Sequence, residues 1–173
     1  NSKKFQFPSF CPSCGGIVCK DPVESAVRCL SGLKCRPQAV EMLKHFVSRN
    51  AFNIEGFGSK LVEELFLDKW IERPDQIFTL EERFGSKSSN QLADRLGWGE
   101  KSAKKLFLAI NARKTITLKR FIYSLGIRHT GEGVADLLAK HFFSWDGFYK
   151  TVLSAQNRSG RDWRDLCEID GIG

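Results

Sequence analysis

Residues 52–65 of this chain read FNIEGFGSKLVEEL, a glycine-apolar-glycine turn followed by a stretch with helical periodicity. The first glycine, Gly56, permits a turn residue with positive φ, and the second, Gly58, permits close approach of another molecule to the backbone. A helix that begins there has unpaired N–H groups and the positive end of its dipole, where a phosphate oxygen binds favourably. After Gly58 the apolar residues follow the spacing of one helix face: Leu61, Val62, Leu65 and Phe66. The stretch predicts a helical hairpin that binds phosphate.

The same pattern occurs three more times, in residues 96–106 (LGWGEKSAKKL), 125–138 (LGIRHTGEGVADLL) and 169–173 (IDGIG). The leading glycines lie 41, 34 and 40 residues apart: Gly56, Gly97, Gly131 and Gly171. Repeats of this length indicate an array of helical units that bury their apolar faces on one another. The third copy has Glu132 between its glycines where the others have an apolar residue, and the fourth hairpin is truncated.

Each hairpin helix follows another helical segment, such as residues 40–48 or 117–124, and no alternating strand pattern appears after residue 36. We therefore predict a mainly α fold, with a tandem helix-hairpin-helix domain over residues 37–173.

Five of the six cysteines lie in the first 35 residues, and no secretion signal precedes them, which favours a metal site over disulfides. Two, fourteen and five residues separate the predicted Zn²⁺ ligands, Cys11, Cys14, Cys29 and Cys35. In the CPSCG turn, Pro12 stiffens the chain and Gly15 lets backbone N–H groups face the sulfurs. Cys19 belongs to a strand-like stretch. A ligand pair of Cys14 and Cys19, or reduced cysteines without metal, are the alternatives.

A site of four cysteines leaves no open coordination position, so the zinc is predicted to be structural. Such sites stabilise small modules by about 10–16 kcal/mol, far more than a core of so few residues supplies. Residues 1–36 are therefore predicted to form a four-cysteine zinc-finger module.

The chain of 173 residues carries a formal charge of +7, which favours a polyanionic partner. Backbone contacts to phosphate carry no base information, so we predict sequence-independent binding of duplex DNA across the minor groove, with paired hairpins on the two strands. The predicted DNA-contacting residues are the hairpin glycines and nearby basic side chains: Gly56, Gly58, Lys60, Gly97, Gly99, Lys101, Lys104, Arg128, Gly131 and Gly133.

Other residues are predicted to be structural. Cys167 is expected to be a buried small apolar residue, and His45 is expected to pack or to contact phosphate rather than bind metal. No apolar run is long enough to span a bilayer, and we expect a protein without a membrane partner. The sequence does not begin with Met, so we expect a piece of a longer protein.

The cysteine spacing and the hairpins, in this order, resemble the C-terminal half of bacterial NAD⁺-dependent DNA ligases. The segments that carry the resemblance are FPSFCPSCG at 7–15, RC at 28–29, LKHFVSR at 43–49, IEGFG at 54–58, GWGEKSA at 97–103 and FIYSLGIR at 121–128. It extends from Phe7 to Gly173.

The resemblance implies a zinc finger between an upstream OB-fold and a helix-hairpin-helix domain that binds nicked DNA. It further implies a parent enzyme of DNA replication and repair that transfers AMP from NAD⁺ with Mg²⁺. The Lys-x-Asp-Gly motif of adenylation is absent from these 173 residues, so we expect DNA binding without catalysis. We also expect a monomer in the bacterial cytoplasm, associated with the nucleoid.

Two other functions compete with this one. A helix-hairpin-helix base-excision glycosylase would need a catalytic Asp and a base pocket, and usually has a single hairpin. A zinc-ribbon scaffold for protein partners would bind without steep salt dependence.

Overall fold

A computed structural model describes residues 5–20 and 25–172. The fold is mainly α, as predicted, and the described residues contain two short strands and eight α-helices. The strands are β1 (Val18–Lys20) and β2 (Val27–Cys29). The helices are α1 (Arg36–Val47), α2 (Ser59–Leu67), α3 (Leu80–Phe84), α4 (Glu100–Asn111), α5 (Leu118–Ser124), α6 (Glu132–Phe142), α7 (Trp145–Ser154) and α8 (Arg161–Cys167). Short 3₁₀ helices cover Gly32–Lys34, Pro74–Thr79, Leu92–Asp94 and Ala155–Asn157.

The cysteine-rich segment forms a small antiparallel ribbon. β1 pairs with β2 in the register Val18 with Cys29 and Lys20 with Val27, and an isolated bridge joins Phe10 to Ile17. A ribbon of two strands has no second layer to bury an apolar face, so it depends on another source of stability.

The ribbon joins the helical body without a linker. Cys35 is the N-cap of α1, Pro37 lies in its first turn, and the Gln38 side chain donates to the Cys29 carbonyl at 3.2 Å. Pro is favourable there because a helix leaves its first N–H groups unpaired. The predicted boundary between residues 36 and 37 therefore lies in the first turn of α1.

The helical body has two hydrophobic cores. The first packs α1, α2 and α4 together and includes Leu43, Phe46, Phe57, Val62, Leu65, Ile71, Ile77, Leu106 and Ile110. The second packs α5 to α8 together around Ile122, Ala135, Leu138, Phe148 and Ile169. The four predicted hairpins thus fall into two pairs, each with a core of its own.

Hydrogen bonds between α5 and the region of α1 and its following loop connect the halves. The Arg120 guanidinium donates to the carbonyl of Ala51 at 2.8 Å and also to that of Arg49. His45 Nε2 hydrogen-bonds the Tyr123 carbonyl at 2.8 Å, which confirms a packing role for this histidine. The Arg120 bonds satisfy carbonyls in the loop between α1 and α2, and the His45 bond satisfies a carbonyl of α5.

One predicted packing role is wrong. Cys167 ends α8 on the surface and is exposed, because the buried position nearby is taken by Ile169. None of the helices in the described ranges is long and apolar enough to cross a bilayer.

Candidate metal centre and nucleic-acid interface

Four cysteine side chains converge at the base of the ribbon. The Sγ atoms of Cys11, Cys14, Cys29 and Cys35 all lie within 4.8 Å of one another. Sγ of Cys11 lies 4.0 Å from that of Cys35, and Sγ of Cys14 lies 3.5 Å from that of Cys29. Four sulfurs bound at 2.3 Å to a tetrahedral Zn²⁺ lie about 3.8 Å apart, so the cluster has the dimensions of a zinc site.

Cys19 is not part of the cluster. Its side chain is exposed on β1, and its thiol donates to the Lys20 carbonyl at 3.4 Å. The alternation of a strand directs this side chain away from the cluster, as its sequence context predicted.

Backbone hydrogen bonds shape the first knuckle. The Gly15 N–H donates to the Cys11 carbonyl at 2.8 Å, and the Cys11 N–H donates to the Gly16 carbonyl at 2.7 Å. Gly15 has φ +69°, the left-handed conformation that glycine adopts without strain. The Ser31 N–H donates to Sγ of Cys29 at 3.4 Å. This N–H···S contact is of the kind that orients thiolate ligands around a metal.

The environment shifts the pKa values of two of the thiols in opposite directions. The Ser31 hydroxyl and the Gly16 backbone hydrogen-bond the Cys14 thiolate and lower its pKa from 9.0 to about 6. Burial raises the pKa of the Cys35 thiol, because charge is costly away from water. Cys14 is therefore ready to bind a cation at neutral pH, whereas Cys35 must lose its proton on binding.

Four turns with one hydrogen-bonding pattern interrupt the helical body. We call them turns 1 to 4, over residues 54–58, 95–99, 127–131 and 169–172. In each, the fourth residue donates its N–H to the carbonyl of the first, at 3.2, 2.9, 2.9 and 3.0 Å. The third residue has positive φ in every turn, at Gly56, Gly97, His129 and Gly171. Positive φ at this position alone is the signature of a type II turn, which explains the leading glycines.

The register of turn 3 differs from the prediction. His129, with φ +61°, occupies the position of a leading glycine, and Gly131 corresponds to the second glycine, Gly58 or Gly99. Gly133 lies inside α6. The sequence signal failed because a histidine adopts the left-handed conformation here, and Gly131-Glu132-Gly133 imitates the motif two residues later.

The fourth residue attaches turns 1, 2 and 4 to a core. Phe57 is buried, Trp98 packs against the first core, and Ile172 packs against the second. A methyl group on Gly56 would lie 3.7 Å from Leu106 of α4, so turn 1 rests on the helix that follows turn 2. This contact pairs the two turns.

A helix begins directly after each of the first three turns. Gly58, Gly99 and Gly131 are the N-caps of α2, α4 and α6, in extended backbone, and a Cβ on any of them would meet no atom within 4 Å. As glycines, these N-caps have no side chain to accept the first N–H groups of the helix, whereas Ser144 caps α7 by accepting from the Gly147 N–H at 3.1 Å. In α4 the Ser102 hydroxyl accepts from the N–H of the N-cap Gly99 itself at 3.0 Å. The backbone at these three helix starts is therefore open to close approach on the side where a Cβ would stand, as a phosphate-binding surface requires.

The predicted basic side chains lie beside these helix starts. Lys60, Lys101, Lys104 and Arg128 are all exposed. The Lys60 ammonium lies 3.9 Å from Glu64. Sequence reasoning missed the ion pair of Lys105, whose ammonium lies 2.9 Å from the Glu55 carboxylate of turn 1 and lowers the pKa of that carboxyl.

Arg95, the first residue of turn 2, was also missed. Its guanidinium lies 2.5 Å from the Asp68 carboxylate and 4.8 Å from the centre of the Trp70 ring. The Trp70 ring stacks on the Phe84 ring, with their centroids 3.7 Å apart. The partners are 25 or more positions away along the chain, so no local pattern indicates this anchor.

No protein-family model matches the chain. The DNA ligase of Roseobacter denitrificans is 49% identical over 169 residues, which cover 98% of this chain and 24% of the ligase. The DNA ligase of Cereibacter sphaeroides is 49% identical over 170 residues, again 98% of this chain and 24% of the relative. That of Paracoccus denitrificans is 52% identical over 145 residues, 84% of this chain and 19% of the relative.

The chain therefore spans about a quarter of the length of these relatives. Their names do not specify the adenylate donor, so dependence on NAD⁺ stays a prediction. The similarity extends over almost the whole chain, through both the cysteine cluster and the turns. The predicted resemblance to DNA ligases is confirmed, and the chain is homologous to a segment of these enzymes.

Proposed function

We propose that the chain is the part of a bacterial NAD⁺-dependent DNA ligase that binds nicked duplex DNA without regard to sequence. The observation that carries the proposal is the shared geometry of turns 1 to 4. The first three lead into helices whose N-caps are glycines, and we interpret them as helix-hairpin-helix units that bind phosphates through backbone N–H groups. The same interpretation extends to turn 4, which has the same hydrogen bond and the same positive φ.

The proposed backbone contacts are made by the turn glycines, Gly56, Gly58, Gly97, Gly99 and Gly131, and by Gly133, which lies within α6. The proposed side-chain contacts are made by Lys60, Lys101, Lys104 and Arg128. The pairing of turns 1 and 2 over one core supports contact with both strands. Two turns held rigidly relative to each other can follow a duplex, whose two phosphate chains have a fixed separation across the minor groove.

The cysteine cluster holds a structural Zn²⁺ in this proposal. All four protein ligands are sulfur, so no position remains for substrate or water. Cys35 is both ligand and N-cap of α1. The metal therefore fixes the orientation of the ribbon at the start of the helical body.

The parent enzyme would supply the chemistry of nick sealing, with NAD⁺ as adenylate donor and Mg²⁺, in replication and repair. The Lys-x-Asp-Gly motif does not occur in these 173 residues. Within the proposal the chain acts as a monomer in the bacterial cytoplasm, binds the nucleoid DNA, and does not become adenylated.

Competition binding tests the proposal. The zinc-loaded 173-residue chain, bound to a labelled nicked duplex, is challenged with unlabelled nicked duplex, intact duplex and single strands of the same length. We expect both duplexes to compete well and single strands poorly. Preference for single strands would contradict the proposal, and covalent AMP after incubation with NAD⁺ would contradict the assignment of adenylation to another part of the enzyme.

A further inference from the structure

The second residues of the four turns differ in chemistry. They form the tips of the turns and are Glu55, Leu96, Arg128 and Asp170. Leu96 is the one apolar tip among these four, and it is fully exposed, with a relative accessibility of 103%. A single exposed leucine is ordinary on a protein surface. The surroundings of Leu96 distinguish it from the other exposed leucines.

Turn 2 is anchored by its first and fourth residues, on either side of its tip. Arg95 is held by the Asp68 carboxylate at 2.5 Å and lies over Trp70, and the Trp98 side chain packs against the first core. The Trp98 N–H closes the turn by donating to the Arg95 carbonyl at 2.9 Å. Leu96 therefore projects from a fixed turn and cannot fold back onto the protein without breaking these contacts.

The charge around turn 2 is also distinctive. α4 carries Lys101, Lys104 and Lys105 on its exposed face, opposite its buried residues, against one carboxylate in its first turn, that of Glu100. α2 after turn 1 carries one lysine and two glutamates, α6 after turn 3 begins with Glu132, and turn 4 is flanked by Glu168 and carries Asp170. Among the helices that follow turns 1 to 3, α4 therefore has the largest basic excess, even with Lys105 paired to Glu55, and this excess favours a polyanion at turn 2.

From these observations we propose that duplex DNA docks chiefly on turn 2, with Leu96 inserted into the minor groove as an apolar positioning residue. This inference rests on the proposed DNA-binding function. The N–H groups of α4 and its lysines would bind phosphates, while the neighbouring Leu96 contacts the sugar edges that line the groove. Leucine is among the apolar side chains that DNA-binding proteins insert into the minor groove, and the sugar walls of the groove would offer Leu96 carbon surface. A single strand does not present two such walls.

Substitutions at Leu96 test its apolar contact with DNA separately from the contacts of charged side chains with phosphate. Binding of the zinc-loaded chain to a nicked duplex is measured at several salt concentrations for Leu96→Ala and Leu96→Met. We expect Leu96→Ala to weaken binding about tenfold, since apolar area is lost from the interface, with the slope of log K against log salt unchanged because no phosphate contact is removed. Leu96→Met, with a similar apolar area, should retain most of the affinity.

Two controls complete the design. Leu153→Ala removes a partly exposed leucine from α7, outside the turns, and should leave affinity unchanged. Lys101→Ala should reduce the salt slope by about one, because it removes one phosphate contact. If the wild-type chain binds duplex and Leu96→Ala binds it with the same affinity, the role of Leu96 is overturned but the proposed function is not. Failure of the wild-type chain to bind duplex would overturn the proposed function itself.

Discussion

Two glycines of turn 2 have different roles, and substituting each by alanine separates folding from binding. Gly97 has φ +81°, and a Cβ there would meet no atom within 4 Å. The cost of Gly97→Ala is therefore backbone strain alone. A left-handed alanine costs about 1–2 kcal/mol, and a change of 1 kcal/mol shifts Tm by about 2–4 °C in a chain of this size.

Gly99 lies two residues later, with φ −159° and ψ 171°, which any residue adopts, and a Cβ there also meets no atom within 4 Å. Gly99→Ala should leave Tm nearly unchanged. Its methyl group would stand at the open start of α4, where phosphate is proposed to approach. Loss of one charge-assisted hydrogen bond of about 1.5–3 kcal/mol weakens binding tenfold or more.

The assay combines thermal unfolding by circular dichroism with titration of a nicked duplex well below Tm. We expect Gly97→Ala to lower Tm with a modest change in affinity, and Gly99→Ala to lower affinity with little change in Tm. Equal Tm values for Gly97→Ala and the wild type would refute the strain argument for the turn. Unaltered affinity of Gly99→Ala would remove this N-cap from the DNA interface.

Three further perturbations address the metal centre and the charge of turn 1. Cys29→Ser should abolish zinc binding and unfold the ribbon, whereas Cys19→Ser should keep one zinc per chain. Atomic absorption measures the metal content of both variants, and retained zinc in Cys29→Ser would exclude Cys29 as a ligand. Ser31→Ala should raise the pKa of the Cys14 thiol, which the Ser31 hydroxyl contacts, from about 6 toward 9.0. Protons then compete better for the thiolate, so zinc should be released at a higher pH; an unmoved midpoint in a chelator assay would contradict this. Glu55→Gln frees Lys105 and should strengthen DNA binding about threefold at low salt. The effect should be small and should fade at high salt, because an exposed ion pair is weak and is screened by salt. Weaker binding of Glu55→Gln would show instead that Glu55 aids docking.

The cysteine cluster was predictable from local sequence because its members come from two short segments with recognisable spacing. The helical class and three of the four turns were predictable for a similar reason, since glycine marks a positive φ. Turn 3 escaped because His129 fills that position. The strain in this conformation is small enough for the surrounding fold to impose it on a non-glycine residue.

The contacts that hold the turns in place were not predictable. Arg95 is indistinguishable in the sequence from a solvated arginine until Asp68 and Trp70 are brought beside it. Arg120 likewise looks like a candidate for phosphate binding, and the structure uses it to bind the Ala51 carbonyl. The division into two cores has the same origin, since it depends on which helices pack together and not on the periodicity of any one of them.

The salt dependence of binding tests the central claim most directly. The affinity of the zinc-loaded 173-residue chain for a nicked duplex is measured from low to high salt, with a duplex of unrelated sequence as the comparison. If the turns contact roughly six phosphates, log K should fall against log salt with a slope of about −5, and equally for both sequences. A flat response, or a slope that depends on the sequence, would contradict the assignment of the turns as a phosphate-binding surface.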